Sequence, residues 1–268
     1  MKTKKKRGRG MFTAICISAF VVSFGLGVVS KVAVKPSWAG KYTVEMTDEI
    51  GKVYRDISYG EGEANKFDLY VPADTSKESY GLVVYLHAGG FTSGDKSGDA
   101  EMLAWLCSKG YVAAGINYTL RTADNDKSVY SQSMEIKEAM PKVVEEAAKL
   151  GYPIDKMAIS GGSAGGTLAM LYAYRDAADS PVPVRMMFQA VGPSSFCRTD
   201  WDVYGLHQDT EESRNAAAGL FGIMLGTEID PGILDTPEYD RLIKPISAFM
   251  WIDAHSAPSV IAYGVHDR

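Results

Sequence analysis

Runs of apolar residues recur along the chain at two different periods, and together they predict its elements. KVYRDISYG (52–60) and NKFDLYVPA (65–73) are rich in β-branched and aromatic residues and flank the turn-forming GEGEA, which predicts an antiparallel strand pair. YGLVVYLHA (80–88) is continuously apolar, as expected of a strand buried on both faces. GDAEMLAWLCSKG (98–110) reads as a helix closed by Gly110, and YVAAGINY (111–118) as the next buried strand. In SMEIKEAMPKVVEEAAKLG (133–151), Ile136, Met140, Val143, Val144, Ala147 and Leu150 fall at helical spacing, while Pro141 predicts a kink or a new start. DKMAIS (155–160) is a strand, AGGTLAMLYAYRDAA (164–178) a helix, and VRMMFQAV (184–191) and PSVIAYG (258–264) the last two strands.

Alternation of strands and helices predicts an α/β domain: a mostly parallel sheet with helices on both faces. The rhythm breaks between about 194 and 257, a stretch rich in Asp, Gly, Pro and aromatic residues. It is expected to be an inserted cap over the carboxyl ends of the strands, where such sheets bind ligands. The domain is expected over 51–268, after a linker at 31–50.

One apolar run fits neither period. Residues 11–30, MFTAICISAFVVSFGLGVVS, carry no charge, and 20 helical residues rise about 30 Å, the thickness of a bilayer's hydrocarbon core. The ten residues before it hold six Lys or Arg and no acid. That asymmetry predicts a cytoplasmic N-terminus, a membrane span at 11–30 and a domain outside. The alternative is a secretory signal cut near Ala39, since PSWAG offers small residues before Gly40. Without the basic decapeptide the chain holds 22 basic residues against 33 acidic, a net charge of −11. So acidic a body argues against nucleic acid as a partner. Three cysteines form no disulfide framework, and Cys107 and Cys197 are expected as free thiols. No Cys/His cluster has metal-ligand spacing, and no cofactor is implied.

Two short stretches carry chemistry. Gly161-Gly162-Ser163-Ala164-Gly165 fits G-x-S-x-G between the strand 155–160 and the helix from 164. Such a turn needs small flanking residues, and it presents the Ser hydroxyl at a helix N-terminus, where developing negative charge is favoured. A Gly-rich turn or a phosphate loop is the competing reading, but neither G-x-x-x-x-G-K-[ST] nor G-x-G-x-x-G is present. His87-Ala88-Gly89-Gly90-Phe91 follows the strand 80–86, where small residues let backbone N–H groups approach a reacting carbonyl.

HAGGF, SGDKS, INYTL, ISGGSAGG and IAYGVHD, in this order, resemble the α/β-hydrolase fold over about 52–268, and within it the hormone-sensitive-lipase-like and feruloyl-esterase-like carboxylesterases. The resemblance implies Ser163 as nucleophile, with Gly89, Gly90 and Ala164 supplying the N–H groups of an oxyanion hole. It makes His87 a residue that orders the loop rather than the base, and Gly161 and Gly165 the small residues of the turn. Ala88 stands where the family usually has Gly. Asp267, after the last predicted strand, matches the family's acid, whose order is Ser, Asp, His. The His is expected beyond it, after one more strand and helix, but only Arg268 follows. His266 adjoins the acid, and His207 and His255 fall in the predicted cap as surface or packing residues.

The expectation is therefore a serine hydrolase of small acyl esters that lacks its last strand, last helix and base loop and is weak or inactive in this form. A peptidase of the same fold and a non-catalytic, membrane-anchored pseudo-enzyme are the alternatives.

Overall fold

The computed structural model describes residues 42–264; the span read at 11–30, the possible cut near Ala39, and His266 and Asp267 lie outside them. Among the described residues no helix is long and apolar enough to cross a membrane.

Seven strands form one sheet in the order β1-β2-β4-β3-β5-β6-β7. They are β1 (Gly51–Ser58), β2 (Lys66–Pro72), β3 (Tyr80–Leu86), β4 (Val112–Ile116), β5 (Ile154–Gly162), β6 (Val184–Ala190) and β7 (Ser259–Ala262). β2 pairs antiparallel with both β1 and β4, and the remaining pairings are parallel. Among the described residues five α-helices accompany them: α1 (Ala100–Ser108), α2 (Val129–Lys149), α3 (Ala164–Leu171), α4 (Glu211–Leu225) and α5 (Pro237–Ile243).

The sheet has two unequal faces. Leu69, Val71, Ala114 and Ile116 pack with Ile136, Met140 and Val143 of α2 and Leu168 and Met170 of α3 in the main core. Tyr70 and Ala113 point the other way and pack on Leu103, Ala104 and Cys107 of α1. On that second face, β3, β5 and β6 are left beside an open groove of about 510 Å³ whose lining includes Tyr85, Met102, Trp105, Met186 and Phe188. Cys107 and Cys197 are free thiols, and burial pushes Cys107 up to about 11, so it is unreactive at neutral pH.

Pro141 neither kinks α2 into two elements nor starts it; the helix runs unbroken from Val129, capped by reciprocal bonds between Ser128 and Ser131. Pro141 lies on the exposed side, where a missing backbone hydrogen bond costs least, while Ile136, Ala139, Met140, Val143 and Ala147 hold the buried side to the sheet. The helix expected over 164–178 is α-helical only to Leu171. It continues as a π turn, Tyr172–Asp176, where Arg175 pairs with Asp176 and donates to the Pro245 carbonyl and the Ser133 hydroxyl.

Parallel register decides where chemistry can occur. Leu86 pairs with Gly161, Gly162 with Ala190, and Ala190 with Ala262. The segments that begin at His87, Ser163, Val191 and Tyr263 therefore leave the sheet at one level, on its carboxyl edge.

Candidate active site

Ser163 sits between β5 and α3 with φ 49° and ψ −121°, a conformation that costs a non-glycine residue on the order of 1–3 kcal/mol. The surroundings enforce it. Its N–H donates to the Ala190 carbonyl at 2.8 Å, and its carbonyl accepts from Thr167 N–H at 3.1 Å. The turn is too tight for side chains on either side of it. A Cβ on Gly161 would lie 2.4 Å from the Gly165 carbonyl carbon, and one on Gly165 would lie 2.0 Å from the Leu86 oxygen.

The loop after β3 is equally constrained. Gly89, Gly90 and Phe91 all have positive φ, at 136°, 60° and 67°. Ser93 closes the turn, its N–H and hydroxyl both donating to the Gly89 carbonyl. The Phe91 carbonyl accepts from the buried Gln132 side chain at 2.8 Å and from Arg121 N–H at 3.0 Å. His87 is buried at the base of this loop. Its ring stacks on Tyr118 at 4.3 Å, its Nδ1 is 2.9 Å from the Ala88 oxygen, and Tyr118 donates to its carbonyl. Burial lowers its pKa, outweighing that contact, so the ring is neutral at neutral pH.

The next residues anchor the loop to the sheet. Asp95 accepts from Ser97 N–H and from the Asn117 amide, and Asn117 accepts from Lys96 N–H. Burial alone would raise Asp95, but these hydrogen bonds and the Lys96 charge outweigh it and hold the carboxyl at about 2. The buried Lys96 ammonium lies 2.8 Å from Asp56 and 2.9 Å from Asp68, which is itself buried and also meets Arg55.

Ser163, Ala164, Gly90 and Phe91 line one cleft of about 590 Å³. Ala164 opens α3, so its N–H is one of the four with no partner inside the helix. The rest of the lining comes mainly from the segment between β6 and β7: Val191, Pro193, Ser194, Ser195, Asp200, Trp201, Val203 and Tyr204, with Met224 from α4 and Tyr263 after β7. None of these residues was given a role by the sequence: apart from Tyr263, within IAYGVHD, no motif marks them, and their approach depends on how the 191–258 segment folds back. His207 and His255 are exposed and absent from the cleft lining. His255 is held in a surface turn, its N–H donating to Asp253. Among the described residues, no group of His, Cys, Asp and Glu could hold a metal ion.

Ser163 Oγ, a helix N-terminus and a small-residue loop thus share a cleft at one edge of the sheet. The arrangement suits attack on a carbonyl carbon with backbone N–H groups at hand for the oxygen.

A family model described as BD-FAE matches residues 67–268. The fold is similar to that of esterase B from Lactobacillus rhamnosis, with a TM-score of 0.61 and 18% identity over 91% of this chain and 74% of that one. A thermophilic esterase from Thermogutta terrifontis gives a TM-score of 0.56 at 21% identity, over 82% of this chain and 71% of that one. Both likenesses place the chain in the α/β-hydrolase fold. Among curated proteins, a Salmo salar kynurenine formamidase is 29% identical over 136 residues, 51% of this chain and 44% of that protein. A Mycobacterium tuberculosis protein named "Probable carboxylic ester hydrolase LipM" is 32% identical over 132 residues, 46% of this chain and 30% of that protein. The match spans less than half the length of each of these two relatives.

Proposed function

Because the chain belongs to the BD-FAE family, we propose that it hydrolyses carboxylic esters through an acyl-enzyme on Ser163. One observation carries the reading: a serine held at φ 49° on a strand-to-helix turn, facing a cleft it shares with Gly90 and Ala164. Ser163 Oγ attacks the acyl carbon, and the N–H groups of Ala164, Gly90 and Gly89 hold the oxyanion. The alcohol leaves, and water then releases the acid. Asp267 is the acid of the triad, whose base is a His. No cofactor takes part, and the substrate is a small-molecule acyl ester.

The test uses the whole natural polypeptide. A fluorophosphonate probe labels Ser163, and Ser163→Ala loses roughly 10⁶-fold in kcat on short acyl esters. A panel of acyl esters, aminoacyl amides and an aryl formamide separates an esterase from a peptidase and from the amide chemistry in the name of the salmon relative. A folded protein that neither takes the label nor turns over any of these substrates is a pseudo-enzyme, and the proposal fails.

We also propose that residues 11–30 anchor the domain on the outer side of a membrane, on the strength of the uncharged run and the six positive charges before it. Membrane fractionation with external protease tests this. Recovery of a soluble form beginning at Gly40 would establish a cleaved signal instead.

A further inference from the structure

Gln189 is fully buried near the end of β6, and both polar atoms of its amide are engaged. Its Oε1 accepts from Gly192 N–H at 2.7 Å, and its Nε2 donates to the Tyr263 hydroxyl at 3.1 Å. The Tyr263 hydroxyl in turn donates to the Gly192 carbonyl. Two side chains, one on β6 and one just after β7, therefore hold both the N–H and the C=O of one glycine.

That glycine touches the nucleophile turn. A Cβ on Gly192 would lie 2.9 Å from the Ser163 oxygen and 2.8 Å from Thr167 N. The neighbouring residues grip the same turn: Ala190 accepts from Ser163 N–H, and Pro193 accepts from the Thr167 hydroxyl. Val191, with φ 55°, donates to Ala262 at the end of β7 and lines the cleft. Tyr263 lines the cleft too, is half exposed, and lies four residues before Asp267.

We infer that Gln189 and Tyr263 are positioning residues, which fix the Ala190–Pro193 turn against Ser163 and tie the end of β7 to the nucleophile. The inference rests on the reading of Ser163 as nucleophile and goes beyond it. No motif marks Gln189, and Tyr263 falls within IAYGVHD without a role assigned to it there. A buried glutamine in a core strand has a cost unless its amide is satisfied, and here both of its partners belong to the segments that frame the serine.

Tyr263→Phe keeps the ring on the cleft wall and removes the hydroxyl. Gln189→Leu keeps the buried volume and removes both hydrogen bonds. The readouts are the rate of fluorophosphonate labelling at Ser163, kcat and KM on a short acyl ester, and the melting temperature, all in the whole natural polypeptide. Each variant is expected to keep KM within about twofold while kcat and the labelling rate fall by about 10- to 100-fold, the scale of loss for a sub-ångström to 1 Å misplacement. The double variant should be scarcely slower than either single one, since both act through Gly192. Folded single variants with kcat and labelling rate within twofold of wild type overturn the inference alone, leaving the Ser163 reading intact. A wild type that takes no label at Ser163 overturns both. Should Gln189→Leu fail to fold, Tyr263→Phe at its half-exposed position decides the question.

Discussion

Gly165 and Leu86 meet backbone to backbone: a methyl group on Gly165 would sit 2.0 Å from the Leu86 carbonyl oxygen and 2.6 Å from that of His87. The first turn of α3 is thereby pressed onto the end of β3, which sets Ser163 at the level of the loop carrying Gly89 and Gly90. Gly165→Ala is expected to push the two apart. The cost should be roughly 3 kcal/mol or more in stability, the range of severe backbone clashes, with loss of labelling at Ser163. Urea unfolding and probe labelling measure the two effects. A variant as stable as wild type would mean the helix can shift without harm.

Lys96 and Asp68 form a buried ion pair that holds the loop after β3 to the antiparallel edge of the sheet. Lys96→Met leaves Asp68 buried with only the half-exposed Arg55 as its cation, and should cost about 3 kcal/mol. Combining it with Asp68→Leu should cost much less than the sum of the single changes, because the stranded charge is gone. Chemical denaturation of the four proteins checks the cycle.

Asp99, at the start of α1, has one carboxylate oxygen buried without a hydrogen-bond partner. Burial, with the Asp95 charge adding, pushes its pKa up to about 6 from an ordinary value near 3.8. The folded state therefore binds this proton more tightly than the unfolded chain does. The stabilisation it gives is complete below pH 4 and is lost as the pH rises through 6. Asp99→Asn removes the penalty and should exceed wild type by about 2 kcal/mol at pH 7.5 but not at pH 4. Urea midpoints at the two pH values decide it; an equal gap at both would assign the effect to packing rather than to the proton.

All four residues of β7 are exposed, and β6 is its one strand partner among the described residues. Val260 and Ile261 are each about half exposed, on opposite faces of an apolar strand. Such an edge templates association. Val260→Lys in the 268-residue chain should slow aggregation, followed by light scattering, with a change in stability within about 0.5 kcal/mol. Unchanged scattering would move the sticky surface elsewhere, with the groove beside Trp105 and Phe188 the next place to probe.

What the sequence determined by itself is largely local. Continuous apolar runs marked the strands of the parallel sheet, yet of these strands only β4 is buried at every position: burial alternates along β3, and all of β7 is exposed. The G-x-S-x-G pattern marked the turn at Ser163 because only small residues fit within it. Helical spacing marked α2, although Pro141 was read as a kink or a new start and the helix runs through it. A proline's effect depends on which side of the helix it occupies and on what the opposite side buries, and that is a tertiary property. The cleft was not legible in the same way. Trp201, Tyr204, Met224 and Tyr263 lie 38 to 100 residues beyond Ser163 and share no motif with it. They meet it because register aligns Leu86, Gly161, Ala190 and Ala262 and so brings four strand ends to one edge. Gln189 shows the limit most clearly. In the sequence it is one polar residue in an apolar strand, and only the folded chain shows Gly192 and Tyr263 arriving on either side of its amide to satisfy it.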